Sequence, residues 1–236
     1  MMPPSSALSK KSRQAKRFWI LGAGHFGGLA LTRISRRHPR AAITVVDCKA
    51  CNLPHGVTAD CIEADAVQWL QGALTSATCV DWIVPAIPEH VAAQWLKDQL
   101  QPDHTVTPIS VPDAWLHLLP HAMRGPLGRV YTSHADFRCP DDCPEPADIC
   151  THTGRPRPED LFRLLGKQAP AGCRAIVLRS RQLLPGVGAL APAELFAARD
   201  QARRCGDGCL MIATACRCHG VVDFVRVNAP RQQAAG

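Results

Sequence analysis

The sequence predicts an α/β fold, with a mostly parallel sheet in the N-terminal half followed by a smaller, cysteine-rich α/β unit of α+β character. Three observations carry this. Short apolar or β-branched runs alternate with helical patterns from Arg17 to about Thr132, which is the alternation of a parallel sheet. A Pro- and Asp-rich stretch with three cysteines interrupts that alternation after Phe137. Beyond it, two strand-like runs at 210–214 and 221–227 are joined by a link far too short for a parallel crossover, so an antiparallel hairpin is expected. The expected organisation is a disordered basic tail over 1–16, the parallel-sheet domain over 17–134, and a Cys/Pro-rich loop with a short helix over 135–170. A small α/β unit with a Cys-rich hairpin then covers 171–228, and a tail covers 229–236.

The first element is an apolar strand at 18–21. It runs directly into Gly22-Ala23-Gly24-His25-Phe26-Gly27, then a helical pattern, then a second strand at 43–46 ending on Asp47. Strand, glycine turn, helix, strand and acid in that order are the layout of a dinucleotide-binding unit. Gly22 allows a sharp turn, Gly24 lets backbone N–H groups approach a pyrophosphate, and Gly27 lets helix and strand pack closely. The helix N-terminus adds free N–H donors and a positive dipole end. Asp47 is placed to accept hydrogen bonds from an adenosine ribose, and its charge disfavours a 2′-phosphate, so NAD is expected over NADP.

From residue 17 to about residue 90 the chain resembles the NAD-binding Rossmann domains of the TrkA-N/RCK type. The resemblance rests on GAGHFG at 22–27, ITVVD at 43–47 and VTADCIEADAVQWL at 57–70. It implies a Rossmann-like sheet and nucleotide-dependent regulation rather than a fixed chemistry. It does not extend to the second half.

Further elements follow from periodicity. A third strand is expected at 57–62, a helix at 64–74, and a mostly apolar fourth strand at 80–84. Pro85-Ala86-Ile87-Pro88 ends that strand, and a helix starts near Glu89 with Val91, Trp95 and Leu96 on its buried stripe. Fifth and sixth strands are expected at 105–111 and 129–132. The last third supplies a helix at 159–165, a strand at 174–179, a glycine loop at 184–188 and a helix at 192–204. His117, His121 and His134 lack ligand spacing and read as surface or satisfied core histidines.

Twelve cysteines in 236 residues are many for a chain with no secretory signal. Disulfide frameworks belong to short secreted domains, so reduced thiols and a cytoplasmic setting are expected, with some cysteines as metal ligands. Cys139, Cys143 and Cys150 fall in the Pro-rich loop, and Cys216, Cys218 and His219 crowd the hairpin tip. Neither group supplies four cysteines, so one shared centre would staple the loop to the small unit. An iron–sulfur cluster is favoured over zinc, and the absence of any metal stays open. Cys48 and Cys51 read as a loop without a second ligand pair, and Cys61 and Cys79 as buried structural thiols. Cys205 and Cys209 flank a helix C-cap at Gly206, and Cys173 has no partner pattern.

The net charge of +7 resides largely in Lys10, Lys11, Arg13, Lys16 and Arg17, so it does not indicate a nucleic-acid partner. One tyrosine leaves little material for base stacking, and no apolar run is long enough to span a bilayer. Three functions follow. The first is an NAD(H)-binding redox protein with a metal centre that passes or senses electrons. The second is a nucleotide-sensing regulatory protein with structural zinc. The third is a dehydrogenase of a small organic substrate, for which no proton donor stands out. A homo-oligomer, or a redox or transport partner protein, is compatible with each. The sequence nominates no catalytic residue.

Overall fold

The computed structural model describes residues 15–101 and 103–229. The expected tails at 1–16 and 229–236 therefore lie outside the described residues, apart from Ala15, Lys16 and Ala229. The chain is a mixed α/β protein with two main sheets. The first contains β1 (Arg17–Leu21), β2 (Ala42–Asp47), β3 (Asp60–Glu63) and β4 (Trp82–Pro85), all parallel in the order β3-β2-β1-β4. Helices α1 (His25–Arg37), α2 (Ala66–Ala73) and α3 (Val91–Leu100) follow β1, β3 and β4. Asp65 caps α2 by accepting from Val67 N–H and Gln68 N–H.

Strand period two sends side chains of β1 to opposite faces. Phe18 and Ile20 pack with Ala30, Leu31 and Ile34 of α1. Leu21 joins a second cluster with Trp95, Leu96 and Leu100 of α3.

The expected fifth strand forms as β5 (Thr105–Pro108), but it does not extend the parallel sheet. It pairs antiparallel with β12 (His219–Asn228). After α4 (Asp113–Leu116), β6 (Met123–Arg124) and β7 (Val130–Ser133) join the same second sheet, so the expected sixth strand also pairs elsewhere. The reason is the length of β12. Its ten residues offer an edge that both segments share, β7 on His219 to Val222 and β5 on Val225 to Asn228.

The remaining elements are α5 (Leu161–Lys167), β8 (Cys173–Arg179), β9 (Arg181–Leu184), β10 (Val187–Ala189), α6 (Pro192–Cys205) and β11 (Gly208–Ala215). β11 and β12 form the expected antiparallel hairpin, with Ala215 opposite Gly220. β11 is parallel to β8 through the α6 crossover. β9 and β10 form a small hairpin whose continuation, Leu190, exchanges two backbone hydrogen bonds with Ile83 at the free edge of β4.

α3 and α6 are packed between the two sheets. Leu195, Ala198 and Ala202 share a core with Trp95, Ile176, Leu210, Ile212 and Val225. The outer face of the second sheet buries Met211, Ala213, Val222 and Phe224 against α5 and Trp115. Among the described residues no helix is long and apolar enough to cross a membrane.

Two cysteine expectations are corrected. Cys173 and Cys209 stand opposite each other on β8 and β11 and form a disulfide, so neither is a free thiol. Cys61 and Cys79 are exposed rather than buried, because β3 is a short edge strand and Cys79 precedes β4. Gly206 does close α6, with φ at +62°.

Candidate functional site

The strand order reverses between β1 and β4, and open α/β sheets bind ligands outside the carboxyl ends of strands at such a point. The glycine turn lies there. Gly22 has φ at +106°, and a Cβ on it would meet the Ala86 carbonyl oxygen at 2.7 Å. A Cβ on Gly27 would lie 1.9 Å from the Gly22 carbonyl oxygen, so helix and turn touch backbone to backbone. Gly24 faces open space instead. It is the N-cap of α1, in an extended conformation with no capping side chain and no acid in the first turn. The first N–H groups of α1 are therefore left without a side-chain acceptor. Ala23 N–H donates to Asp47 Oδ2 at 2.6 Å, and Lys49 N–H donates to Oδ1 at 3.0 Å. Those bonds hold the Asp47 carboxyl below its ordinary pKa. Asp47 thus braces the turn from the end of β2, and Phe26 is exposed beside it.

The cysteine loop docks on this turn. Asp141 Oδ2 is 2.8 Å from His25 Nε2, and the Asp141 carbonyl accepts from Arg33 Nη1 at 2.8 Å. The same guanidinium donates to the Pro185 carbonyl at 2.7 Å, which ties loop, α1 and the β9–β10 hairpin together. Gly186 is required in that hairpin, because a Cβ there would strike the Asp141 carbonyl oxygen.

The far side of the loop meets the β11–β12 tip. Cys139 Sγ lies 3.5 Å from His219 Nε2, and Cys216 Sγ lies 3.8 Å from His219 Nδ1. Cys216 Sγ accepts from the N–H groups of Cys218 and His219, at 3.4 and 3.3 Å. The Cys150 pKa is lowered by the polar groups around its sulfur, the Thr153 hydroxyl first and then the Thr153 and His152 N–H groups. The Arg157 guanidinium donates to Cys218 Sγ. Burial pushes the Cys216 thiol up to about 11 and the Cys218 thiol up to about 12. Burial also raises Cys139, reinforced by Cys143 and Cys150.

The loop and hairpin cysteines thus gather in one neighbourhood around His219. Among the described residues no three His, Cys, Asp or Glu side chains are grouped closely enough in this structure to hold a metal ion. Glu145 takes part as well. Its Oε1 accepts from Arg217 N–H at 2.5 Å, and its charge acts on Cys216. Cys51, by contrast, lies beside Cys61, and burial raises it to about 11.

A third polar group has no motif in the sequence. His90, Arg129 and Asp223 are all buried. His90 Nδ1 is 2.5 Å from Asp223 Oδ2, and His90 Nε2 is 2.9 Å from Thr214 Oγ1. Arg129 Nε donates to Asp223 at 3.3 Å and Arg129 Nη2 to Glu89 at 3.1 Å, with Lys97 Nζ 3.6 Å from Asp223 Oδ1. Burial lowers the His90 pKa. Burial alone would raise Asp223, but the His90 hydrogen bond and the two cations hold it low. A neutral His90 therefore donates to an ionised Asp223 and accepts from the Thr214 hydroxyl. The only sequence signal was an acid at an odd position of a strand whose neighbouring odd positions are apolar.

The chain is 35% identical over 148 residues to an uncharacterized protein of Archaeoglobus fulgidus, a match covering 62% of this chain and 65% of that relative, a little under two thirds of its length. No solved structure matches. A family profile described as "Uncharacterized protein, C-terminal domain" matches residues 92–228, from α3 to the end of β12. That span contains the loop and hairpin cysteines and the second sheet, and it leaves out the glycine turn and Asp47. The chain belongs to this family, AF_1314_C.

Proposed function

We propose that the protein binds NAD(H) on a Rossmann-type glycine turn and carries a cysteine-bound metal centre beside it, as an electron-transfer or redox-sensing protein. One observation carries the reading. The cysteine loop rests on the first turn of α1 through Asp141, while its Cys139 reaches His219 of the hairpin. The parallel order β3-β2-β1-β4 agrees with a Rossmann half-sheet, and the TrkA-N/RCK resemblance runs over the same residues. Gly22 to Gly27 would offer N–H groups to the pyrophosphate, and Asp47 would take the ribose hydroxyls, favouring NAD over NADP. Cys139, Cys143, Cys150, Cys216, Cys218 and His219 form the donor pool. The N–H groups on Cys216 and the cation on Cys218 would stabilise thiolates against the burial that favours the thiols, and the lowered pKa of Cys150 acts in the same sense. An iron–sulfur cluster would supply one-electron chemistry there, whereas zinc would be structural.

A second reading has its own support. The His25–Asp141 contact joins the glycine turn to the loop, so a nucleotide on the turn would displace or lock the loop. That would make the chain a nucleotide-sensing regulator with structural zinc.

Anaerobic purification with metal and sulfide analysis separates the two. A brown, dithionite-bleachable protein is expected for the first, and a colourless protein that releases zinc on thiol modification for the second. Cys143→Ser and Cys218→Ser should each lower metal content. Full metal content in both variants, or no metal in the native chain, would remove the centre.

A further inference from the structure

A cleft of about 370 Å³ opens beside the cysteine neighbourhood, walled by Trp82, Glu145, Arg179, Arg181, Gln182 and Arg217. Its cations come from separate elements: the end of β8, the start of β9 and the hairpin tip between β11 and β12. Two of the three guanidiniums are matched by acids. Arg181 places Nε and Nη2 on Glu194 Oε1, at 3.0 and 2.5 Å. Arg217 places Nη1 on Asp160 Oδ1 at 2.7 Å. The one acid on the wall, Glu145, is already engaged by the Arg217 N–H.

Arg179 is different. Its guanidinium lies over the Phe162 ring, 4.6 Å from the centroid, and it makes no ion pair among the described residues. Its Nε is buried with no hydrogen-bond partner among them. A guanidinium clamped by an aromatic face and denied both water and an acceptor at Nε is costly in isolation. The terminal nitrogens make no hydrogen bond among the described residues either, so an oxyanion in the cleft would supply the missing counter-charge there, with two oxygens of one carboxylate or phosphate meeting Nη1 and Nη2. Gln182 is tethered to the cysteine loop, its amide nitrogen donating to the Cys143 carbonyl.

We propose that this cleft binds a small oxyanionic ligand, a carboxylate or a phosphate group, with Arg179 as the primary contact and the free edge of Arg217 as the second. The site stands on its own residues, whatever the cysteines hold. It also shares Arg217 and Glu145 with the cysteine segments, so the anion would lie next to any centre bound there.

The purified full chain would be titrated by calorimetry with inorganic phosphate and, separately, with succinate, each against sodium chloride at matched ionic strength. Saturable binding of at least one of the two is expected, and which one binds identifies the oxyanion. Arg179→Met should weaken it at least tenfold, and Arg217→Gln should weaken it to a smaller extent. Thermal denaturation reports whether Arg179→Met folds. If it does not, Arg179→Lys, which keeps the charge but loses the fork, should still fold and bind more weakly. Absence of binding by both anions, or undiminished binding in folded Arg179→Met or Arg179→Lys, would overturn the site. Because the readout is anion affinity, its failure leaves the metal and dinucleotide tests standing.

Discussion

Asp223 and Asp47 are both carboxylates on strands, and their surroundings give them different work. Asp223 points to the side of β12 that faces α3, where Arg129, Lys97 and His90 converge on it. Removing its charge would leave buried Arg129 with Glu89 alone and half-buried Lys97 without its partner, and breaking a buried pair from one side costs about 3–5 kcal/mol. Asp223→Asn should lower the unfolding free energy by that order in urea titrations. A loss below about 1 kcal/mol, the scale of an exposed pair, would mean that water reaches the group. Asp47 instead braces the glycine turn through the Ala23 N–H, and its two oxygens retain acceptor capacity beyond the bonds they make. Asp47→Asn should weaken NAD binding by about 1–2 kcal/mol, for a charge-assisted hydrogen bond lost, and narrow the margin over NADP. Calorimetry showing unchanged affinity would detach Asp47 from the ribose.

At the scale of elements, Gly24 and Gly27 separate binding from folding. Gly27→Ala drives a methyl into the Gly22 carbonyl, so α1 or the turn must move. A cost of about 1–3 kcal/mol is expected, as for overpacking, together with loss of dinucleotide binding. Gly24→Ala meets no atom within 4 Å and keeps an allowed backbone. It should lower the melting temperature only slightly, since Ala is a poorer N-cap than Gly by about 0.5–1 kcal/mol, while weakening the proposed binding, because the methyl enters the space assigned to the pyrophosphate. If Gly24→Ala bound NAD as the native chain does, the pyrophosphate would lie elsewhere. These short-range features were legible in the sequence because each is written within a few residues: the strand–turn–helix of 17–37, the β11–β12 hairpin, and the crowding of Cys216, Cys218 and His219 at its tip. What could not be read was pairing over distance. β5 and β7 look like further strands of the parallel sheet, and only the length of β12, more than a hundred residues from β5, draws them away. The Cys173–Cys209 disulfide depends on the register of β8 and β11. Neither arrangement leaves a local pattern.

For the whole molecule, the buried network fastens the first sheet's β4–α3 connection to the second sheet, since His90 and Glu89 meet Thr214, Arg129 and Asp223 across the boundary. The family match begins at residue 92, so this junction joins the matched part to the unmatched one, and its protonation should govern how the two hold together. Burial keeps His90 neutral, with its pKa below the unfolded value of about 6.5. Below that value the unfolded chain binds a proton that the folded chain resists, so stability falls as pH falls. His134, lowered chiefly by burial, acts in the same direction. Asp223 has a depressed pKa, so its contribution persists above its unfolded value of about 3.9 and is lost only at lower pH. Urea midpoints should therefore decline from about pH 7.5 to 5.5 with histidine protonation, and decline again below about pH 4. His90→Gln, which retains a donor for Asp223 but cannot titrate, should make the first decline shallower, leaving the share of His134, and leave the second unchanged. A midpoint that stays level between pH 7.5 and 5.5 in the native chain would mean that His90 is not held neutral in the folded state, and that the junction is already open to solvent.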